Sequence, residues 1–201
     1  MSRWRSSFLI LLVTAISLAQ TGAAVVIIDA DMRRPRLRSI FDLAERQGLS
    51  SILSSEMKPD EMLSIITRDE TSGLHVLTSG PIPPNPAELI GSDQMRRLIA
   101  ELGRTFTHIV IDSPPISSFT DGVLIASMVD GVLLVVHGGK SSRSVVRRSR
   151  QLLLDVGAKI FGVVLNNVSV GSHDYYYYYQ RYYHQSYYSK DVETEKATSE
   201  V

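Results

Sequence analysis

Short apolar runs set the frame of this chain. Ala24–Ile28 (AVVII) is echoed at Leu74–Leu77, His108–Ile111, Val132–Val136 and Ile160–Leu165. These runs are rich in β-branched residues, the pattern of strands buried on both faces. Between them lie helix-like stretches: Asp60–Ile66, Ser92–Leu102 (SDQMRRLIAEL), Asp121–Met128 and Ser144–Val156, the last stopped by Gly157. Strands alternating with helices predict an α/β fold, a parallel sheet with helices on both faces. Strand order is not readable from local pattern. At 201 residues, one domain plus a tail is expected.

The two ends depart from this rhythm. Phe8 to Ala19 (FLILLVTAISLA) is mostly apolar over 12 residues, whereas a membrane-spanning helix needs roughly 20. Two other readings stay open on local pattern. Arg3 and Arg5 followed by an apolar run fit a signal peptide. A buried helix ending at Gly22, with Gly as its C′ residue, fits as well. At the other end, the segment after Val170 has almost no aliphatic residues and is expected to be a disordered tail. All nine tyrosines of the chain fall within it, between Tyr175 and Tyr188.

Composition narrows the function. Lys and Arg total 21, matched by 21 Asp and Glu, so bulk charge does not drive nucleic-acid binding. There is no cysteine, which excludes disulfide scaffolds, thiolate zinc sites and cysteine nucleophiles. Ligands of open parallel sheets sit beyond the carboxyl ends of the strands. There the sequence places Asp29-Ala30-Asp31-Met32-Arg33-Arg34-Pro35 after the first strand and Asp112-Ser113-Pro114-Pro115 after the third. One such Asp reads as a cap or turn residue. Two strand-end carboxylates with Asp31 favour a site for a cation and phosphate, because unpaired buried carboxylates are costly.

These residues carry a resemblance. VVIIDADMRRP resembles the Walker A′ motif, and HIVIDSPP the Walker B motif, of the bacterial tyrosine kinases, the P-loop autokinases of capsule and exopolysaccharide synthesis. SGPIPPNPAELIGS (Ser79 to Ser92) looks like that family's proline-rich loop, and the tyrosine-rich tail completes the match. The first two motifs are shared with ParA- and MinD-like ATPases; the loop and tail point to the kinases. The resemblance covers roughly Thr14 to the C-terminus and implies a P-loop NTPase-like fold. The family's G-x-x-x-x-G-K-[ST] loop, whose amides and Lys hold phosphates, is absent; MSRWRSSFLILLV stands in its place. The resemblance makes a signal peptide the weaker reading. It reads the start as truncated, frameshifted or misassigned, with real degeneration as the alternative. Three parts follow: 1–13 as an atypical segment in place of the P-loop, 14–170 as the kinase domain, and 171–201 as the tail.

What the resemblance implies can be stated residue by residue. Asp29, Asp31 and Asp112 would be catalytic, Asp31 and Asp112 supporting Mg2+, with the base among Asp29 and Asp31 left open. Arg33 and Asn166 would contact the nucleotide; the rival for Asn166 is a turn residue. Tyr175, Tyr176, Tyr177, Tyr178, Tyr179, Tyr182, Tyr183, Tyr187 and Tyr188 would be autophosphorylation sites. ATP and Mg2+ are the implied cofactors. The implied partners are a membrane adaptor domain or protein of the polysaccharide chain-length and export system and a ring of like subunits, with no nucleic acid. The implied location is the cytoplasm, at the inner face of the plasma membrane. Rival functions are an inactive fragment serving as phosphate acceptor or interaction module, and a ParA/MinD-like ATPase. Elsewhere, Arg34, Arg36 and Arg38 extend a basic run, and Arg143, Arg147 and Arg150 share a helix face that reads as solvated. Thr120 and Asp121 read as a helix cap. His75 and His108 lack metal-ligand spacing and read as structural.

Overall fold

The computed structural model describes residues 5–44 and 47–168. Helix α1 (Arg5–Gln20) runs continuously through the apolar N-terminal segment, and Gly22 follows it with φ +87°, the left-handed C′ geometry expected of a glycine there. Phe8 and Ala15 of α1 are buried. Strand β1 (Val25–Asp29) comes next, and every residue in it is buried. Two short helices, α2 (Leu37–Ile40) and α3 (Leu49–Leu53), then α4 (Pro59–Ser64), lead to β2 (Thr67–Arg68) and β3 (His75–Leu77). Helices α5 (Pro86–Ile90) and α6 (Asp93–Thr105) precede β4 (His108–Asp112). The chain continues through α7 (Asp121–Ala126), β5 (Val132–His137), α8 (Arg143–Asp155) and β6 (Ile160–Asn166). No described helix is long and apolar enough to cross a membrane.

Sequence explains the helix ends. The Ser92 hydroxyl accepts from the Met95 N–H at 3.4 Å, and the Ser142 hydroxyl from the Val145 N–H at 3.3 Å, each opening a helix. In α4, Pro59 sits in the first turn and the Lys58 N–H donates to Glu61 at 3.0 Å. Gly157, at φ +71°, ends α8 as the sequence predicts. On α6, Met95, Leu98 and Leu102 form one buried stripe at helical spacing.

The architecture is α/β, with β1 at its centre. β1 pairs in parallel with β3 and β4, and β2 adds an antiparallel edge, giving the order β2-β3-β1-β4. Alternate β1 residues serve opposite faces. Val26 and Ile28 join the core under α3, α5 and α6; Val25 and Ile27 join the core under α1. Helices therefore cover both faces. β5 and β6 pair in parallel as a separate two-stranded sheet. All the strand runs seen in the sequence form, but among the described residues no strand joins β4 to β5.

The proline-rich loop is fastened to α3. Leu49 and Ser50 N–H groups donate to the Thr78 and Ser79 carbonyls, each at 2.8 Å, and the Ser50 hydroxyl donates to Pro81 O at 2.6 Å. This requires close backbone approach: a Cβ at Gly48 would lie 2.2 Å from Gly80 N. Gly48→Ala is therefore expected to destabilise the fold by about 1–3 kcal/mol, the usual range for overpacking. Urea unfolding of the variant checks this, and an unchanged midpoint would contradict the close approach.

Candidate active site

The carboxyl ends of β1 and β4 form the site because the two strands are in register. Asp29 stands opposite Asp112, and the Ala30 N–H donates to Asp112 O at 3.0 Å. Neighbouring strands lie about 4.8 Å apart, so two carboxylates emerge side by side. After Asp29 the chain keeps alternating: Ala30 and Met32 are buried, while Asp31 and Arg33 line a cavity of about 480 Å3. Arg34, Arg36, Asp112 and the Ser113-Pro114-Pro115 turn line the same cavity, as do Phe8 and Leu11 of α1.

Each carboxylate is held differently. Asp29 is fully buried; its Oδ2 accepts from the Arg36 and Leu37 N–H groups at 2.7 and 2.9 Å, while its Oδ1 has no partner. Burial pushes its pKa up; the two amides pull it back, and the Asp31 charge adds to the rise. Burial likewise pushes Asp112 up from 3.8 to about 7, reinforced by the charges of Asp29 and Asp31. Asp31 is half-buried and its Oδ1 accepts from the Arg34 N–H at 3.1 Å.

This cluster fits a cation. A buried carboxylate oxygen without a donor, beside a neighbour whose ionisation is opposed by two more carboxylates, is an arrangement a divalent ion relieves. Among the described residues, no three His, Asp or Glu side chains converge as a ready-made metal cage. Mg2+ does not need one: it usually takes one or two carboxylates and fills its shell with water and phosphate oxygens.

Arg33 is held by a residue that the sequence assigns to capping. Its Nε donates to Asp121 Oδ2 at 3.0 Å and its Nη2 to Asp121 Oδ1 at 3.3 Å, while the guanidinium lies 4.3 Å from the Phe119 ring centroid. Asp121 is 1% exposed. The capping assignment is corrected accordingly: Thr120 makes no side-chain cap bond, and the Asp121 carboxylate is engaged by a guanidinium 88 positions away in sequence. An acidic residue at the start of an apolar helix carries no local sign of that partner.

The structure thus brings Asp29, Asp31, Arg33 and Asp112 together. Asn166 ends β6 opposite His137 and is not among the residues lining this cavity. Its Oδ1 accepts from the Asn167 N–H at 2.7 Å, and its buried Nδ2 has no partner. His75 packs edge-on against Phe106 at 4.9 Å between ring centroids, and His108 contacts the Thr107 hydroxyl at 3.1 Å. The tyrosines Tyr175–Tyr188 lie outside the described residues. The sequence reading also missed Phe8, Leu11 and Phe119 as parts of the site, since apolar residues show no functional pattern.

No family model matches the chain. It is 34% identical over 165 residues to the tyrosine-protein kinase YwqD of Bacillus subtilis, covering 82% of this chain and 68% of that protein. It is 38% identical over 165 residues to CapB of Staphylococcus aureus, itself named only provisionally as a tyrosine-protein kinase, covering 71% of it. Against longer relatives the share is small: 21% of Etk of Escherichia coli. The solved kinase domain of Etk superposes with a TM-score of 0.73 at 31% identity, over 79% of this chain and 61% of that one. Cobyrinic acid a,c-diamide synthase of Mycobacterium smegmatis, solved with an ATP analog and magnesium, gives a TM-score of 0.63 at 16% identity over 75% of this chain and shares the fold alone.

Proposed function

This chain belongs to the bacterial tyrosine-protein kinase family, and on that premise we propose that it moves the γ-phosphoryl group of ATP, with Mg2+, onto tyrosine. The observation that carries the reading is the in-register pair Asp29 and Asp112 with Asp31 beside them, where burial and the neighbouring carboxylates oppose ionisation of Asp112 at a cavity that Asp31 and Asp112 line. Asp31 and Asp112 line that cavity and would hold Mg2+. Bound there, the ion would neutralise phosphate charge and orient the transferred group. Asp112 would shed its proton on loading, because ligands bind metal deprotonated. Asp29 would act from one oxygen, its other being fixed by the Arg36 and Leu37 amides. Asp31, the more accessible of the two, is the better placed to take the tyrosine proton.

Arg33, held by Asp121, would present Nη1 toward nucleotide phosphate, since Nε and Nη2 are engaged. Asn166, at the carboxyl end of its strand, would contact the base. The tail tyrosines would be the acceptors, and each phosphate would add about −1.5 to −2 charge. The wider reading is control of capsule or exopolysaccharide synthesis and export at the inner face of the membrane, with a membrane adaptor and a ring of like subunits. Residues 1–13, 14–170 and 171–201 would serve as N-terminal segment, kinase domain and acceptor tail.

One observation favours a second reading: the sequence has no G-x-x-x-x-G-K-[ST] loop. On that reading the chain is a phosphate acceptor or interaction module for an intact kinase. Calorimetric titration with ATP separates the two. The kinase reading expects Mg2+-dependent binding that Asp112→Asn weakens at least tenfold; no binding to the wild type would favour the acceptor reading.

A further inference from the structure

We propose that the exposed arginine face of α8 is a docking site for this chain's own tyrosine segment, Tyr175–Tyr188, once that segment carries phosphate. Lys140, Arg143, Arg147, Arg148 and Arg150 are all exposed. No Asp or Glu occurs between Asp130 and Asp155, although the chain as a whole is charge-balanced. Among the described residues, none of these five cationic side chains makes an ion pair or a hydrogen bond. Arg143, Arg147 and Arg150 follow one stripe at helical spacing, while Ser149 and Leu153 are buried on another. The first turn of α8 holds Arg143 and no acid. A cation at that end opposes the helix dipole, so the placement costs the helix stability and suits an anionic ligand.

The fold sets the root of the tyrosine segment beside this face. The last residue of β6, Asn166, stands opposite His137. The Gly138 N–H donates to Asn166 O at 2.7 Å, and the Lys140 N–H donates to His137 O at 3.2 Å. The chain that leaves β6 therefore starts next to the turn that carries Lys140 and opens α8. Seven residues lead from Val168 to Tyr175, a reach of up to about 24 Å. With 13 residues, α8 is about 20 Å long. The tyrosines can thus lie along α8 of the same chain, at an effective concentration on the order of millimolar.

Spacing and charge fit as well. In an extended peptide alternate side chains share a side and lie about 6.6 Å apart. Tyr175, Tyr177 and Tyr179 fall on one side of the run Tyr175–Tyr179. Along α8, Arg143, Arg147 and Arg150 rise in steps of about 4.5–6 Å. Three phosphates therefore meet three guanidiniums, each of which grips phosphate with a two-pronged fork. Each phosphate brings about −1.5 to −2 charge, and an unmodified tyrosine brings none, so docking depends on phosphate. None of these arginines lines the cavity at Asp31 and Asp112. A docked segment is held off that site and leaves it open to another acceptor. The inference rests on the tail tyrosines accepting phosphate, as both readings above have it.

The test uses the unmodified full chain and labelled synthetic peptides of residues 172–189, with and without phosphotyrosine at positions 175, 177 and 179, followed by fluorescence anisotropy. It needs no activity of this chain, so its failure leaves the phosphoryl-transfer reading untouched. The phosphopeptide should bind roughly tenfold or more tighter than the plain peptide, and its affinity should fall with salt. Arg143→Gln, Arg147→Gln and Arg150→Gln together should weaken it roughly tenfold, a few-fold for each exposed pair. Gln matches Arg in helix propensity, and Lys at the same three positions should retain part of the binding. The full chain assembled with phosphotyrosine at the same three positions should bind the labelled phosphopeptide roughly tenfold more weakly, because its own segment occupies the face. Three results would overturn the proposal. One is equal affinity for the two peptides. Another is undiminished phosphopeptide affinity in the Gln variant; if that variant instead loses binding to phosphatidylglycerol vesicles, the face belongs to a membrane. The third is unchanged phosphopeptide affinity in the phosphorylated full chain.

Discussion

Asp112→Asn is expected to make the Mg2+-free protein more stable at pH 8, by about 2–4 kcal/mol, while disabling the site. In the folded chain Asp112 ionises near 7, against an ordinary value of 3.8. Folding therefore raises its proton affinity, and the wild type loses stability as pH rises from about 4 to about 7, then levels off. Asp29, also raised, contributes in the same direction. The full shift would correspond to roughly 4 kcal/mol at about 1.36 kcal/mol per unit; Asp112 is partly exposed, so screening lowers that figure. Asn keeps the shape and removes the charge. Mg2+ should stabilise the wild type at pH 8, where the carboxylates are ionised, and scarcely at pH 5. Urea unfolding at both pH values, with and without Mg2+, reads all of this. A variant less stable than the wild type at pH 8 would mean that the carboxylates do not repel as described.

Arg33→Ala should have the opposite sign, a loss of about 2–4 kcal/mol. Removing one partner of a buried pair strands the other charge, a cost of roughly 3–5 kcal/mol when both are buried. Asp121 is 1% exposed but the Arg33 side chain is 32% exposed, which trims the expectation. Asp121→Asn should cost less, about 1 kcal/mol, since the guanidinium keeps Phe119 and reaches water. Replacing the pair together, Arg33→Met with Asp121→Leu, should recover most of the loss. A double-mutant cycle of Arg33→Met and Asp121→Leu, each alone and both together, measures the coupling in chemical denaturation. Additive single effects would show that the ion pair does not hold the loop.

The strands were legible because two-sided burial leaves an unbroken apolar signature, as in Val25–Ile28. Helices α6 and α8 were legible from their periodicity and their Ser caps. The short helices α2, α3 and α5 were missed. At four or five residues they are too short to show a period, and tertiary contacts hold them, such as the Asp29 carboxylate at the start of α2. The strand-end carboxylates were legible because Asp after an apolar run is costly without a reason to be there. Asp121 and Phe119 were not, since their meaning lies in a contact with Arg33 made only on folding. The gap between β4 and β5 was hidden as well, because pairing order leaves no local trace in sequence.

The measurement that bears most directly on the central claim is phosphate on the tail. The purified chain is incubated with Mg·ATP beside Asp112→Asn, and intact and tail-peptide masses are compared. The kinase reading predicts new phosphate on Tyr175–Tyr188 in the wild type and none in the variant. It would be contradicted by equal phosphate on both, or by none on either; in the latter case the tail would be tested as the substrate of an intact relative.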